Sequence, residues 1–383
     1  MDFIQQSFTV NFQYKVFFTE DLFHKSNKTF KYFLKENSKN NLKQKILFVI
    51  DTEVEAHHSN IVKQIDEYFQ DSNEVQLIEE KLIIQGGEIV KNDESFYKKV
   101  IDAVNKYGVD RHSYIAVIGG GALLDMVGFA AAVSHRGIKL IRIPTTVLAQ
   151  NDSGVGVKNS INYVGKKNFL GTFVPPCVVF NDFQYLTTLN YDHWKAGISE
   201  AIKVALIRDT IFFEWIETNA TLLQKRNKPA MQYLIKRCAA LHMEHISSGD
   251  PFEKGSSRPL DFGHWSAHKL EQISNFEVLH GYAVAIGIAL DSIYSNLTNR
   301  LSKANTIRII NVLLKIGLPI FHPLLSPSEQ KNPILKGLEE FREHLGGRLT
   351  IMLLKDIGKG EEVHEMNEDI ILEAVKQLKN WSY

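Results

Sequence analysis

The chain has 383 residues, 44 basic and 44 acidic side chains, and 44% hydrophobic residues. That length exceeds one ordinary core and suits two domains of roughly 150–200 residues, while the cancelled charge supplies no overall field of the kind that gathers nucleic acid or an anionic membrane. Two cysteines, Cys177 and Cys238, are too few for a disulfide framework and are expected as buried thiols. With no secretory signal and no run near the ~18 apolar residues of a spanning helix, a soluble cytoplasmic protein is expected.

Phe8 to Phe18 (FTVNFQYKVFF) alternates apolar and polar residues, the period of a half-buried strand. Ile46 to Ile50 is a continuous apolar run ended by Asp51 and Thr52, which predicts a fully buried parallel strand. Helical periodicity follows over Ile61–Phe69, a strand pattern over Glu74–Ile84 and a helix over Phe96–Tyr107. Two further strand-like runs, Tyr114–Ile118 and Leu140–Pro144, flank the small-residue segment Gly119–Val133. Beyond Asp182 amphipathic runs dominate: Trp194–Ile207, Ile211–Leu223, Pro229–Ser247, Gly263–Ile273, Tyr282–Leu297 and Ala304–Ile316. The expected architecture is an α/β domain with a Rossmann-like parallel sheet, residues 1–181, followed by an all-α domain, residues 182–383, with Pro319–Pro333 as a long loop.

Chemistry-bearing residues fall into three sets. Gly119-Gly120-Gly121 follows a predicted strand and opens a predicted helix, where backbone N–H groups can approach a pyrophosphate closely; a tight connection without a ligand fits the same residues, which are not the GxGxxG fingerprint. Glu200, His264 and His280 in the helical half offer two imidazoles and a carboxylate, a usual catalytic zinc set, although in a chain with 14 histidines a chance pair is unremarkable. His268 lies four residues after His264 and shares its helical face, so it can reach substrate beside a metal without binding the ion. Lys91, Arg136, Lys158, Lys167 and Lys203 stand in apolar or glycine-rich contexts, each by itself readable as solvated. Lys203 follows Glu200 by three residues, on the same face.

From Asp51 to His280 the chain resembles the sugar-phosphate cyclases typified by dehydroquinate synthase. The resemblance is carried in order by GGEIVK (Gly86 to Lys91), GGGALLDMVGFAAAVSHRG (Gly119 to Gly137), PTTVLAQNDSGVGVKNS (Pro144 to Ser160), GKKNFLGTF (Gly165 to Phe173), SEAIK (Ser199 to Lys203), DFGHWSAH (Asp261 to His268) and LHGYAVAIG (Leu279 to Gly287). It implies that Glu200, His264 and His280 ligate Zn²⁺, with Co²⁺ as an alternative, in a cleft that also holds NAD. Asp51, Glu88, Lys91, Gly120, Gly121, Asp125, Thr145, Thr146, Leu148, Asp152, Ser153, Lys167 and Thr188 match positions around NAD. Lys158, Asn168, Lys203, Glu253 and His268 match substrate and phosphate contacts. Arg136 matches an arginine that reaches the neighbouring subunit's site, which implies a homodimer. The implied reaction oxidises a ring hydroxyl transiently, eliminates phosphate, returns the hydride, opens the ring and closes a carbocycle by an intramolecular aldol step.

Several positions depart from the dehydroquinate synthase pattern. Met243 stands where those enzymes carry a lysine for the substrate carboxylate, and Ser257 where they carry an arginine, with Arg258 adjacent. Asp261 replaces the asparagine before FGH, placing an anion where a phosphate contact is expected, and the C-terminal part offers only Arg342 or His344 for a missing lysine segment. These departures point to a substrate without the carboxylate, such as sedoheptulose 7-phosphate, and the pattern is most similar to the ebo-cluster branch of the family. His268 is retained, whereas valiolone-type synthases tend to lose it. Dehydroquinate synthase is the alternative, and a metal-dependent polyol or glycerol-type dehydrogenase of the same superfamily is the second alternative. No nucleic-acid or membrane partner is expected.

Overall fold

The computed structural model describes residues 1–38, 43–248, 251–252, 260–326, 333–344 and 349–381. Two units result, Met1–Pro144 with Val157–Asp182, and Thr145–Gly156 with Phe183–Tyr383. The first unit ends at Asp182, and the segment Thr145–Gly156, expected in the α/β domain, belongs to the helical unit.

In the first unit the strands are β1 (Lys15–Thr19), β2 (Gln44–Asp51), β3 (Val75–Leu77), β4 (Leu82–Ile84), β5 (Tyr114–Gly119), β6 (Lys139–Pro144), β7 (Lys158–Tyr163), β8 (Lys166–Phe173) and β9 (Val178–Asp182). Among the described residues, seven of them form a sheet in the order β1-β9-β6-β5-β2-β3, with β4 also on β2. Every pairing in it is parallel. β2 and β5 are buried almost throughout, as their unbroken apolar runs require. Between them the direction of winding reverses, and in such sheets ligands bind beyond the carboxyl ends of the strands at that point. Asp51 ends β2 and Gly119 ends β5.

Several expectations change here. The strand expected over Phe8–Phe18 begins only at Lys15, whose partner is Val178. Pro175 and Pro176 precede that partner, and a proline cannot donate to a ladder. Glu74–Ile84 is two short strands that pair with successive parts of β2. The antiparallel β7–β8 hairpin and β9 escaped the sequence reading. Cys238 is buried, but Cys177 is only partly so.

The second unit is helical, but β10 (Ile351–Asp356) and β11 (Lys359–Val363) form an antiparallel hairpin, so it is not all-α. The run expected over Trp194–Ile207 is broken at Gly197 into helices Tyr191–Ala196 and Ile198–Arg208. A Cβ there would lie 2.4 Å from the backbone nitrogen of Leu148. Capping side chains fix other starts: Asp209 accepts from the Phe212 N–H, Asn227 from Ala230 and Ser302 from Asn305. The described part of the expected Pro319–Pro333 loop contains a short turn, Pro323–Leu325. Among the described residues no helix is long and apolar enough to cross a membrane.

Helix His280–Leu297 is buried nearly all round, the mark of a core helix. Two close approaches set its position. A Cβ on Gly281 would lie 1.9 Å from the carbonyl oxygen of Ala196, and Gly263, at φ 76°, brings its backbone against Gly287 and Ile288. The first approach holds the start of this helix against the chain leading into Ile198–Arg208. The second holds the start of helix His264–Ile273 against its middle. Because the Gly281 clash is with backbone, Gly281→Ala is expected to destabilise the protein by about 2 kcal/mol or more, read as a lower urea midpoint; an unchanged midpoint would contradict this packing.

Candidate active site

Helix Ile198–Arg208 carries Glu200, helix His264–Ile273 begins with His264, and helix His280–Leu297 begins with His280. The glycine contacts just described bring the three together. His264 Nε2 lies 3.6 Å and His280 Nε2 3.4 Å from Glu200 Oε1. One ligand atom from each lies within 4.8 Å of the other two. Glu200 is fully buried, with no hydrogen bond of ordinary geometry to its Oε1.

Proton placement decides what this cluster can hold. Burial, then Lys203, His268 and His280, push the His264 imidazole well below its ordinary pKa, so it is neutral. Its Nδ1 lies 3.2 Å from the Phe262 carbonyl oxygen and donates there, which leaves the Nε2 lone pair facing the Glu200 carboxylate. Two acceptors do not attract one another; a cation with two open directions joins them. His280 Nδ1 is engaged by Glu271 Oε2 at 3.0 Å, the carboxylate–histidine arrangement that commonly orients a metal ligand. The donor set therefore fits a divalent metal of the zinc type. His268, Glu271 and His280 form a second set with ligand atoms within 4.8 Å of one another, sharing His280 with the first.

Around this cluster lies a buried charge network. Burial alone would raise the Glu200 carboxyl, but Lys203 and His280 outweigh it and hold the group at about 2. Burial likewise opposes the charge on Lys203, and Glu200, Asp152 and Asp261 hold it protonated. Lys203 and Glu200 are in direct ion contact, as their spacing on one face predicts. Asp152 sits in a π-helical turn, Ala149–Ser153, where its Oδ1 is 2.8 Å from His242 Nδ1. Sequence reasoning missed His242, and it left open what Asp261 pairs with; the Asp261 charge acts on Lys203. The exposed His268 ring stands 5.3 Å from that of His264 and 6.0 Å from that of His280.

In the α/β unit the Asp51 carboxylate lies against Gly86 and Gly119. A Cβ on Gly86 would fall 2.1 Å from Asp51 Oδ2, and one on Gly119 would fall 3.2 Å from Asp51 Cβ. The GGEIVK segment and the Gly119–Gly121 turn thus meet at the carboxyl ends of β2 and β5, and Gly120 precedes helix Gly121–Val133 without a side-chain cap. Lys91 is buried, 2.9 Å from Asp125 and in contact with Asn168 Oδ1. Glu88 Oε1 accepts from Asn162 at 3.1 Å. Asn168 has a left-handed backbone on the β7–β8 hairpin, which also carries the exposed Lys158 and the half-buried Lys167. The buried Arg142 anchors this hairpin by donating to the Lys158 carbonyl and Asn159 Oδ1, at 2.8 and 2.7 Å.

Other expected residues are placed less tellingly. Arg136 is exposed in a turn with positive φ. Thr145 is buried, Thr146, Leu148 and Ser153 are half-buried, and Thr188 is exposed with its hydroxyl on the Tyr185 carbonyl. Arg342 is exposed near the end of helix Lys336–His344. Glu253, Ser257 and Arg258 lie outside the described residues, as does the side chain of His344.

The 3-dehydroquinate synthase N-terminal family matches residues 81–196, and the 3-dehydroquinate synthase C-terminal family matches residues 197–336. A 3-dehydroquinate synthase from Nitrosospira multiformis is 34% identical over 297 residues, covering 77% of this chain and 80% of that protein. One from Blochmanniella floridana is 31% identical over 317 residues, covering 82% and 85%. The solved 2-epi-5-epi-valiolone synthase from Streptomyces hygroscopicus, with NAD⁺ and Zn²⁺ bound, superposes with a TM-score of 0.87 at 28% identity over 99% of this chain and 100% of that one. The crystal structure of a "probable glycerol dehydrogenase" from Sinorhizobium meliloti, at 13% identity and a TM-score of 0.62 over 96% and 97%, shares the fold alone. With both halves matched in order and relatives above 30% identity over most of their length, the chain belongs to the 3-dehydroquinate synthase-like family of sugar-phosphate cyclases.

Proposed function

We propose that the protein is an NAD- and divalent-metal-dependent cyclase, a phosphate-eliminating carbon–oxygen lyase that converts a seven-carbon sugar phosphate to a carbocycle. The reading rests on one observation above the rest: the neutral His264 imidazole faces the buried Glu200 carboxylate, acceptor to acceptor, beside His280. Glu200, His264 and His280 would hold Zn²⁺, or Co²⁺ in its place. When bound, the metal supplies a Lewis acid toward a hydroxyl or carbonyl oxygen, and NAD accepts and returns a hydride.

The chain's own residues supply binding, orientation and fixed charge. Asp51 is suited to the ribose hydroxyls and the backbone N–H groups of Gly120 and Gly121 to the pyrophosphate. Glu88, Lys91, Asp125, Thr145, Thr146, Leu148, Asp152, Ser153, Lys167 and Thr188 complete the NAD environment. Lys203, kept protonated by three carboxylates, is a fixed cation for a substrate oxygen, and the exposed His268 is placed to donate a hydrogen bond beside the metal ligands. Lys158, Asn168, Glu253 and Arg258 are assigned to substrate, and Arg136 to the site of a second copy in a homodimer.

Met243 and Ser257 favour a substrate without the carboxylate, and sedoheptulose 7-phosphate is our choice. A second reading, 3-dehydroquinate synthase, is favoured by the names of the curated relatives at 31% and 34% identity. Seven-carbon sugar phosphates, supplied one at a time with NAD and zinc, separate the two through phosphate release and product mass. Sedoheptulose 7-phosphate should yield phosphate and a carbocycle with no net NADH. Rapid turnover of 3-deoxy-arabino-heptulosonate 7-phosphate would transfer the assignment to the second reading, and steady NADH accumulation with a simple polyol would remove both. At the metal, Glu200→Gln should lower bound zinc at least about tenfold, since the ligand charge is lost. Unchanged zinc stoichiometry after dialysis against a weak chelator would count against Glu200 as a ligand.

A further inference from the structure

Helix His280–Leu297 is apolar along most of its length (GYAVAIGIAL), yet Asp291 sits within it, fully buried. Its Oδ2 accepts the Gly263 backbone N–H at 3.1 Å and its Oδ1 accepts the Trp265 Nε1–H at 3.0 Å. Gly263 and Trp265 are the two neighbours of His264 in the chain. We propose that Asp291 is a positioning residue of the metal centre, clamping His264 from both sides so that its Nε2 is held toward Glu200; the proposal rests on the metal reading above.

The geometry favours this role over plain packing. A buried carboxylate is costly unless its hydrogen bonds are specific, and burial pushes this one up to about 7 despite the bonds from Trp265 and Gly263. An apolar side chain would spare the helix that cost. What the carboxylate adds is direction: one oxygen fixes the backbone at a glycine with φ 76°, and the other fixes a buried indole. The indole and the glycine then leave the intervening imidazole little freedom. The same helix begins with His280, so a single rigid element carries one ligand and orients another.

The test uses the full-length protein, stripped of metal and reloaded with zinc alone, its affinity read by chelator competition, and with cobalt alone, its visible absorption read for geometry. Asp291→Asn keeps the shape but turns an amide N–H toward one of the two donors. It should weaken zinc about 10–100-fold and change the cobalt spectrum. Trp265→Phe keeps an aromatic ring, though one smaller than the indole, and removes one bond, and should weaken zinc in the same direction by a smaller factor. Melting of the metal-free forms separates the two roles, because a purely structural aspartate would lower stability and leave zinc affinity and the cobalt spectrum alone. If Asp291→Asn does not fold, Trp265→Phe decides. Wild-type affinity and spectrum in both variants would overturn the inference, whereas a wild-type chain that takes up no zinc would remove the metal reading itself.

Discussion

Removing the Glu200 carboxylate from water costs several kcal/mol in hydration, and placing the Lys203 ammonium beside it adds a second such cost. Their mutual attraction offsets part of this, and Asp152 and Asp261 extend the network. The oxygen left over, Glu200 Oε1, lies 3.6 Å from the Nε2 of the neutral His264 imidazole, an acceptor, and 3.4 Å from His280 Nε2. A folded protein seldom leaves a buried anion facing a neutral acceptor. A divalent cation between Glu200 and His264 would resolve the conflict, and the close glycine contacts at Gly263, Gly281 and Gly287 bring the elements that carry these side chains together.

Much of this was legible in the chain itself, and the reasons differ by element. Buried parallel strands such as Ile46–Ile50 announce themselves as unbroken apolar runs, and the capped helices as amphipathic ones. The β7–β8 hairpin was missed because β8 alternates small, charged and aromatic residues without a clean two-residue pattern, its burial alternating only weakly. The edge strand was overextended because alternation in the first residues was taken as pairing, while the prolines opposite end the ladder. Within the site, Glu200, His264 and His280 were readable as a donor set. Glu271 could have been found from its place seven residues after His264 and three after His268, and Asp291 from being an acid inside an apolar helix. His242 carries no such signal, since only the fold brings it to Asp152.

The departures from the dehydroquinate synthase pattern acquire physical content in this setting. Asp261 replaces an amide, and the added negative charge falls near Lys203, where it strengthens a cation already held by two carboxylates.

The proposed convergence of Glu200, His264 and His280 on one cation is best examined by X-ray absorption at the zinc edge on the reloaded full-length protein. Two imidazole nitrogens at about 2.0–2.1 Å with carboxylate oxygen at about 2.0–2.2 Å are expected. A shell of water oxygens without imidazole scattering, or sulfur at about 2.3 Å from the buried Cys238, would contradict it.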